Sequence, residues 1–393
     1  MYNQGIKEQE HTMNILIVGN GFDLAHGLPT KYGDFLRYIR EFYKFWDDPI
    51  VYNKNGIKAY FASMRDERSR IFSELTQMTD KNAWLKYFDE IFEERERTQK
   101  DGWIDFEMEI SHVIQALDDA RQRCIRAVSE SSDKPVKIMG LHTETVTRII
   151  KIVDEIDLDE NPESHEYFGA ERMHLATIDF IKKRLYSDLN RLTRSLELYL
   201  TDYVASKHCD PLSEIAELDI DYLLSFNYTN TYCKVYGKNE MEGTDEVDFI
   251  HGKAKESGSV KTCNLVLGID EYQDNESRDR DNEFIQFKKF YQRIFKGTGC
   301  HYTDWLSDFE EYPLADDLNI YIYGHSLDVT DKDILNRIIM TEGAVTTIFY
   351  HSQEALGNYI ANLVKIIGEQ TLIEMTDGRH SRIVFKRQSS YKD

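Results

Sequence analysis

The chain has 393 residues, which is enough to bury a sizeable core in one enlarged domain or in two ordinary ones. Its 41% hydrophobic and 30% charged residues suit a globular protein and exclude a disordered or fibrous one. The formal net charge of -22 disfavours general binding to nucleic acids or anionic membranes, because their phosphates would be repelled.

Cysteine spacing and the lack of long apolar segments favour a reduced, cytoplasmic protein without membrane association. No C-x-x-C pair occurs, so we expect no structural zinc, no redox motif and no disulfide framework. Residues 1–12 lack the apolar core of a signal peptide, and no later run is long enough to span a bilayer. Met13 is an alternative start. The cysteines are Cys124, Cys209, Cys233, Cys263 and Cys300.

The first predicted element is a strand, MNILIV (13–18), which leads into the turn Gly19-Asn20-Gly21 and a helix-like segment, FDLAHGL. Backbone amides in such a turn can face a phosphate. The turn is not the G-x-G-x-x-G fingerprint, which requires glycine where Leu24 stands, and it is not a P-loop. On its own it is equally consistent with a plain tight turn.

Residues 37–216 are predicted to form a mainly helical insertion, because apolar residues recur there at intervals of three and four. The clearest helix covers 174–205 and carries one apolar stripe. The stripe favours a core helix, with a partner-facing helix as the alternative, and we expect the insertion to make a homo-oligomer. The stripe consists of Ile178, Ile181, Leu185, Leu189, Leu192, Leu196 and Leu200.

Strands return after residue 217, in the runs DYLLSFNY, VDFIHG, NLVLGID, LNIYIYGHSL and VTTIFYH. Continuous apolar runs are typical of parallel strands that are covered on both faces. We therefore expect an α/β fold with a Rossmann-like parallel sheet formed by residues 13–36 and 217–365. Residues 366–393 are predicted to be a peripheral C-terminal segment. Ligands of such sheets bind at the carboxyl ends of the strands.

The string IVGNGFDLAHGLPTKYGDF (17–35) closely resembles the opening motif of the bacteriophage abortive-infection family AbiH. The resemblance extends over most of the chain and includes WIDFE (103–107). It implies an antiphage defence protein that responds to a phage-derived trigger.

The same opening string resembles the sirtuin motif G-A-G-x-S-x-x-x-G-I-P, with Asn20 in place of Ala and Asp23 in place of Ser. Two features depart from sirtuin deacylases: the zinc-ribbon cysteines are missing, and Thr229 stands where their motif has Asp. Further segments match sirtuin motifs in the same order: Ser225–Thr229 resembles T-Q-N-I-D, Ile250–Gly252 resembles L-H-G, Gly268–Asp270 resembles F-G-E and Gly324–Leu327 resembles G-T-S-L.

The resemblance implies a sirtuin-like core that binds NAD and cleaves its nicotinamide–ribose bond. That reaction needs an anchored pyrophosphate, a positioned ribose and a base for a hydroxyl or water. We expect Asn227 to orient the ribose or water and His251 to accept a proton. The predicted NAD-binding residues are Gly19, Asn20, Gly21, Phe22, Asp23, His26, Gly27, Leu28, Pro29, Tyr32, Thr229, Gly324, His325, Ser326 and Leu327.

Each of these residues has a structural alternative. Asn227 can be a turn former, His251 a satisfied strand-end histidine and Tyr32 a packing residue, while Asp23 and His26 can cap the first helix. At the level of function, one alternative is a module that senses NAD, ADP-ribose or a related nucleotide without turnover. Another is a metal-dependent nuclease or phosphohydrolase. The last would use Asp23, His26, Asp328 and Asp331.

Overall fold

The computed structural model describes residues 12–51, 53, 56–98, 104–130, 144–160, 175–269, 282–311, 317–379 and 381–389. The chain divides into two compact units. The first unit, which we call the sheet unit, comprises Met1–Thr30, Ser206–Lys253 and Gly297–Asp393. The second, the helical unit, comprises Lys31–Ala205 and Ala254–Lys296.

The sheet unit is organised around an all-parallel sheet, which in the described residues has the order β3-β2-β1-β4-β5-β6. The order runs outward in both directions from the β1–β4 pair, as in the doubly wound Rossmann fold. The predicted α/β fold with a Rossmann-like parallel sheet is therefore confirmed. The strands are β1 Thr12–Val18, β2 Tyr222–Ser225, β3 Val247–Phe249, β4 Asp317–Tyr323, β5 Ala344–Tyr350 and β6 Ile383–Arg387.

Helices cover both faces of the sheet and make up most of the helical unit. In the sheet unit they are α1 Asn20–Ala25, α9 Ser213–Ala216, α10 Thr231–Val235, α12 His301–Glu311, α13 Lys332–Ile339, α14 Gln353–Ile367 and α15 Glu369–Thr376. In the helical unit they are α2 Tyr32–Asp47, α3 Ile57–Glu67, α4 Ser69–Thr79, α5 Ala83–Thr98, α6 Phe106–Glu130, α7 Glu144–Glu160, α8 Leu175–Leu198 and α11 Lys289–Lys296.

Burial on both faces explains why β1 is apolar at successive positions. Ile15 and Ile17 belong to a core with residues of α12, α13 and α14, whereas Leu16 and Val18 belong to a second core with residues of α1, α9 and α10. A strand between two helical layers has no solvent-facing side, so the alternation typical of half-exposed strands is lost. None of the described helices is both long enough and apolar enough to cross a bilayer.

The apolar stripe on α8 and the π-helical turn after it is part of the core of the helical unit. All seven stripe residues are buried, from Leu185 at 0% exposed to Leu200 at 5%. Helices α4, α5 and α6 all pack against α8. The core interpretation is confirmed, and the stripe is therefore not the surface through which a second copy would bind.

The structure differs from the predicted boundaries in two places. The segment expected to be peripheral contributes β6, which pairs in parallel with β5. The run NLVLGID lies in the helical unit and forms no strand over its described residues, with only an isolated bridge at Ile269. The amide of Gln292 explains how this apolar run stays buried, since its Oε1 accepts from Leu267 N and its Nε2 donates to Leu267 O. Asp270 lies outside the described residues.

A close backbone contact joins the turn after β1 to the end of β4. The amide of Gly21 donates to the Gly324 carbonyl at 2.8 Å, and that of Gly19 donates to Tyr323 O at 3.2 Å. Gly324 has φ +69°, and a Cβ there would lie 2.0 Å from Phe22 N. Only glycine permits both this conformation and this approach.

Gly324→Ala should therefore destabilise the protein by about 4 kcal/mol or more, the range of severe steric substitutions. The matched control is Gly237→Ala, because Gly237 has φ +68° and open space where a Cβ would stand. It should lose only about 1–2 kcal/mol, the cost of the left-handed conformation. Urea unfolding of both variants measures the difference, and equal losses would contradict a special role for the contact.

Candidate functional site

Polar side chains collect at the carboxyl ends of neighbouring strands in the sheet unit. Asp23 follows β1 on α1, Asn227 and Thr229 follow β2, and His251 follows β3. His325 follows β4. The strand order reverses between β1 and β4, which is the position where ligands bind in open α/β sheets.

The two histidines, His251 and His325, lie near the same carboxylate, that of Asp331. His251 Nε2 lies 3.6 Å from Asp331 Oδ1, and His325 Nε2 lies 3.4 Å from Asp331 Oδ2. The ring of Phe226 contacts both imidazoles, with centroid distances of 5.7 Å to His251 and 4.3 Å to His325. Burial raises the pKa of Asp331, but the two histidines outweigh it and hold that pKa well below its usual range. Asp331 is therefore a carboxylate at neutral pH.

The backbone of Leu327 selects one tautomer of the neutral His325 ring. Its amide donates to His325 Nδ1 at 3.0 Å, so Nδ1 is an acceptor and the ring proton of the neutral form lies on Nε2, towards Asp331. Leu327 adopts φ +56°, an uncommon conformation for a non-glycine residue. In His251 the other ring atom, Nδ1, is buried without a hydrogen-bond partner. His251 is thus held on one nitrogen and has an uncommitted second one.

Asp23 is almost completely buried, at 1% exposed. Its Oδ2 accepts from Thr229 Oγ1 at 2.5 Å, and Thr231 Oγ1 donates to Thr229 at 3.2 Å. Its Oδ1 has no partner. Burial raises the pKa of Asp23 to about 6, although the nearby polar side chains of Thr229, Thr231 and Asn227 lower it. Asp23 and Thr229 are two of the positions at which the chain departs from the sirtuin motifs, and they contact each other directly.

Internal hydrogen bonds already engage several groups that were predicted to bind a nucleotide. The amides of Gly19 and Gly21 bond to the end of β4, and Asn227 Nδ2 donates to Gly19 O at 2.9 Å. Asn20 Oδ1 accepts from Thr30 Oγ1 at 2.6 Å. Helix α1 has six residues. The structure thus gives the glycines a packing role, while phosphate binding by this turn stays a prediction.

His26 has a structural role. Its Nδ1 donates to Phe22 O at 2.7 Å, and its Nε2 lies 2.9 Å from the hydroxyl of Tyr236. That hydroxyl accepts from Leu212 N at 3.0 Å, so it donates to the imidazole. Burial lowers the pKa of His26, which keeps the ring neutral. With both nitrogens engaged, His26 is a connector between α1 and α10.

Other predicted residues lie in the core or on turns. Phe22 and Leu28 are buried, and Gly27 occupies the left-handed turn after α1 at φ +75°. Pro29 is partly buried. Tyr32 belongs to the helical unit, where it stacks on Phe106 with ring centroids 4.3 Å apart.

A cavity of about 550 Å³ opens in the sheet unit beside the β1–β4 contact. Gly21, Gly324 and Ser326 line one part of it, and residues of α14, including Asn362 and Lys365, line another. Its volume is in the range of small-molecule sites. Asn227 and His251 do not line this cavity, so the structure brings the predicted residues together in two groups.

The metal-dependent alternative has little support in the described residues. They contain no group of three or more His, Cys, Asp and Glu side chains placed to hold one metal ion. His26 uses both nitrogens as described above, and Asp328 Oδ1 accepts from Thr330 N at 3.0 Å as a helix cap.

Sequence reasoning misses three features of the site. It suggests Asp331 only as a metal ligand, although this residue contacts both histidines. It does not single out Asn230, whose side-chain polar atoms are both buried and unpartnered. Lys365 is found only through the cavity. The second asparagine of FNYTNTY is a weak local signal, since asparagine is common in the turns that follow strands.

Strand order and site together define a doubly wound α/β protein with a polar site at the carboxyl ends of its strands. The family model described as Bacteriophage abortive infection AbiH matches residues 15–351. The chain therefore belongs to the AbiH family of bacteriophage abortive-infection proteins. No curated protein and no solved structure matches it. The sirtuin-like character of the core stays a prediction.

The raised pKa of Asp23 makes stability depend on pH. Because the folded pKa is about 6 and the ordinary value is 3.8, the folded state is favoured most below pH 3.8 and loses this contribution as pH rises through 6. Ionised Asp23 should cost about 3 kcal/mol at neutral pH. Asp23→Asn removes the titration, so its free energy of unfolding relative to wild type should rise between pH 4 and pH 7.

Urea unfolding at several pH values measures this difference. The matched control is Asp219→Asn, whose carboxylate is 96% exposed and should leave the pH dependence of stability unchanged. Parallel stability curves for wild type and Asp23→Asn would show that the burial of Asp23 does not control its ionisation.

Proposed function

We propose that this protein is an abortive-infection effector that hydrolyses the nicotinamide–ribose bond of NAD, with His251 as the general base and Asp331 as its positioning partner. A phage-derived trigger starts the reaction, and loss of NAD then halts the infected cell. The observation that carries the proposal is the arrangement of His251, which Asp331 holds through Nε2 while Nδ1 has no partner.

The proposed reaction balances without a cofactor or metal. The C1′–N bond breaks, and its electron pair neutralises the positive charge on the pyridinium ring, so nicotinamide leaves as a neutral molecule. Water forms the new bond to C1′ and gives its proton to His251 Nδ1. Asp331 stabilises the imidazolium that results, as the carboxylate does in other His–Asp pairs. The products are ADP-ribose, nicotinamide and one proton.

Burial and location support this role for His251. A histidine with one nitrogen on a carboxylate and the other uncommitted has the arrangement of a general base. It lies at the carboxyl end of β3, in a sheet with the strand order of dinucleotide-binding proteins. His251 is 7% exposed, so neighbouring groups must move before a substrate can reach its Nδ1.

A second candidate is nucleotide sensing without turnover. The hydrogen bonds of Gly19, Gly21 and Asn227 favour it. These bonds within the protein occupy groups that were expected to anchor the nucleotide or to act in catalysis. In that case the cavity beside Gly324 binds the nucleotide and His251 has no chemical role.

His251→Ala should lower NAD turnover roughly 100- to 10,000-fold, the usual effect of losing a general base. Asp331→Asn should lower kcat with little change in KM, because Asp331 acts on His251 and does not contact the substrate. The control is His208→Ala, which removes a histidine that is 89% exposed and also lies near a carboxylate. Release of nicotinamide is the measurement, with and without EDTA.

Three outcomes would contradict the proposal. Full turnover in His251→Ala would exclude His251 as the base. Loss of activity in EDTA would favour the metal-dependent alternative. NAD binding by wild type without any release of nicotinamide would replace the hydrolase with a sensor.

A further inference from the structure

Three residues that follow strands of the sheet unit, Asp23, Asn230 and His251, have buried polar atoms without hydrogen-bond partners. Among the described residues of that unit, the buried side-chain atoms without a partner are Asp23 Oδ1, His251 Nδ1, Thr346 Oγ1 and both polar atoms of the Asn230 side chain. Such atoms are rare in folded proteins, and each one calls for water, an ion or a ligand. Asn230 stands out, because its donor and its acceptor are both unpartnered.

Asn230 sits directly before α10, at a position where asparagine normally caps the helix. Its side chain makes no capping hydrogen bond here. It is 6% exposed, so solvent does not satisfy the amide either. The preceding residue, Thr229, donates to the carboxylate of Asp23, and the following residue, Thr231, donates to Thr229. Asn230 therefore lies next to this hydrogen-bonded network, but its side chain makes no hydrogen bond with it.

An unsatisfied buried amide destabilises the folded state, because its polar atoms lose water without gaining protein partners. A leucine, which has the same number of side-chain heavy atoms, would not carry these unpartnered polar atoms. The polar atoms of Asn230 are therefore best explained by a group that enters the site and supplies the missing partners. Buried polar groups of this kind reject a ligand that cannot pair with them, so they determine specificity.

The unpartnered atoms define the chemistry of that group. Asn230 Oδ1 and Asp23 Oδ1 are acceptors, and Asn230 Nδ2 is a donor. A primary carboxamide carries the complement, with two N–H donors on one nitrogen and one carbonyl acceptor. A carboxylate carries acceptors only, so it pairs with Asn230 Nδ2 but leaves Asn230 Oδ1 without a donor.

We propose that Asn230 is a specificity-determining residue that binds the carboxamide of a nicotinamide group through both atoms of its own amide, and so selects nicotinamide over nicotinic acid. Asn230 Nδ2 donates to the ligand carbonyl, and Asn230 Oδ1 accepts one ligand N–H. This inference rests on the proposed function for the identity of the ligand. It concerns binding alone and requires no bond cleavage.

The test compares free nicotinamide and nicotinic acid as probes, since neither can be hydrolysed by the proposed reaction. Wild-type protein should bind nicotinamide at least 10-fold more tightly than nicotinic acid in calorimetry. Asn230→Leu should lose about 10- to 100-fold in nicotinamide affinity, the equivalent of two ordinary hydrogen bonds. Its unfolding temperature should stay unchanged or rise, because a buried unsatisfied amide is removed.

The matched control is Asn82→Leu in the helical unit. Asn82 is also buried, but its Nδ2 donates to Asp188 O at 2.9 Å and its Oδ1 accepts from the amides of Trp84 and Leu85. Its replacement should lower the unfolding temperature and leave nicotinamide affinity unchanged. The contrast separates an amide that serves the fold from one that serves a ligand.

Four results would overturn the inference. They are equal binding of the two probes by wild type, no binding of nicotinamide, unchanged nicotinamide affinity in Asn230→Leu, and binding of adenosine in preference to nicotinamide. The last would assign Asn230 to a purine edge. Nicotinamide binding that depends on Asn230 would support the inference even if NAD is never cleaved. Cleavage of NAD with the same KM in wild type and Asn230→Leu would leave the hydrolase intact and refute the role of Asn230.

Discussion

The backbone contact between Gly21 and Gly324 is the constraint on which the site depends. It joins the turn after β1 to the end of β4 at the point where the strand order reverses. The carbonyl of Gly19, in the same turn, accepts from Asn227 and so holds the end of β2. Side chains from distant parts of the chain reach one edge of the sheet because two backbone segments meet without intervening Cβ atoms and the Asn227 side chain joins a third segment to them.

Hydrogen bonding at this edge is uneven. Asn227 and His26 are satisfied within the protein, while Asp23, Asn230 and His251 each retain an unpartnered buried atom. A fold selected only for stability would replace such groups with apolar residues, since that change costs little or stabilises. Their presence next to the reversal of strand order is the physical basis for proposing a ligand at this edge.

Local sequence patterns are sufficient for the strand and turn at 13–21 and for most of the later strands. They fail where a distant partner decides the outcome. The run around Leu267 has the pattern of a strand, but the side chain of Gln292 satisfies its backbone. The contact of His251 with Asp331 joins residues 80 positions apart in sequence, and the burial of Asn230 depends on the whole fold. Neither has a local signature.

The central position of β1 has a consequence for synthesis of the chain. The contact of Asn14 with Asp221 spans 207 residues, because β2 follows β1 only after helices α1–α9. At translation rates of about 5–20 residues per second, β1 exists for roughly 10–40 s before its first neighbour emerges. Throughout that interval both edges of an apolar strand are open to pairing with other chains. The helices form by local contacts meanwhile, so the most buried strand of the protein is among the last to become protected.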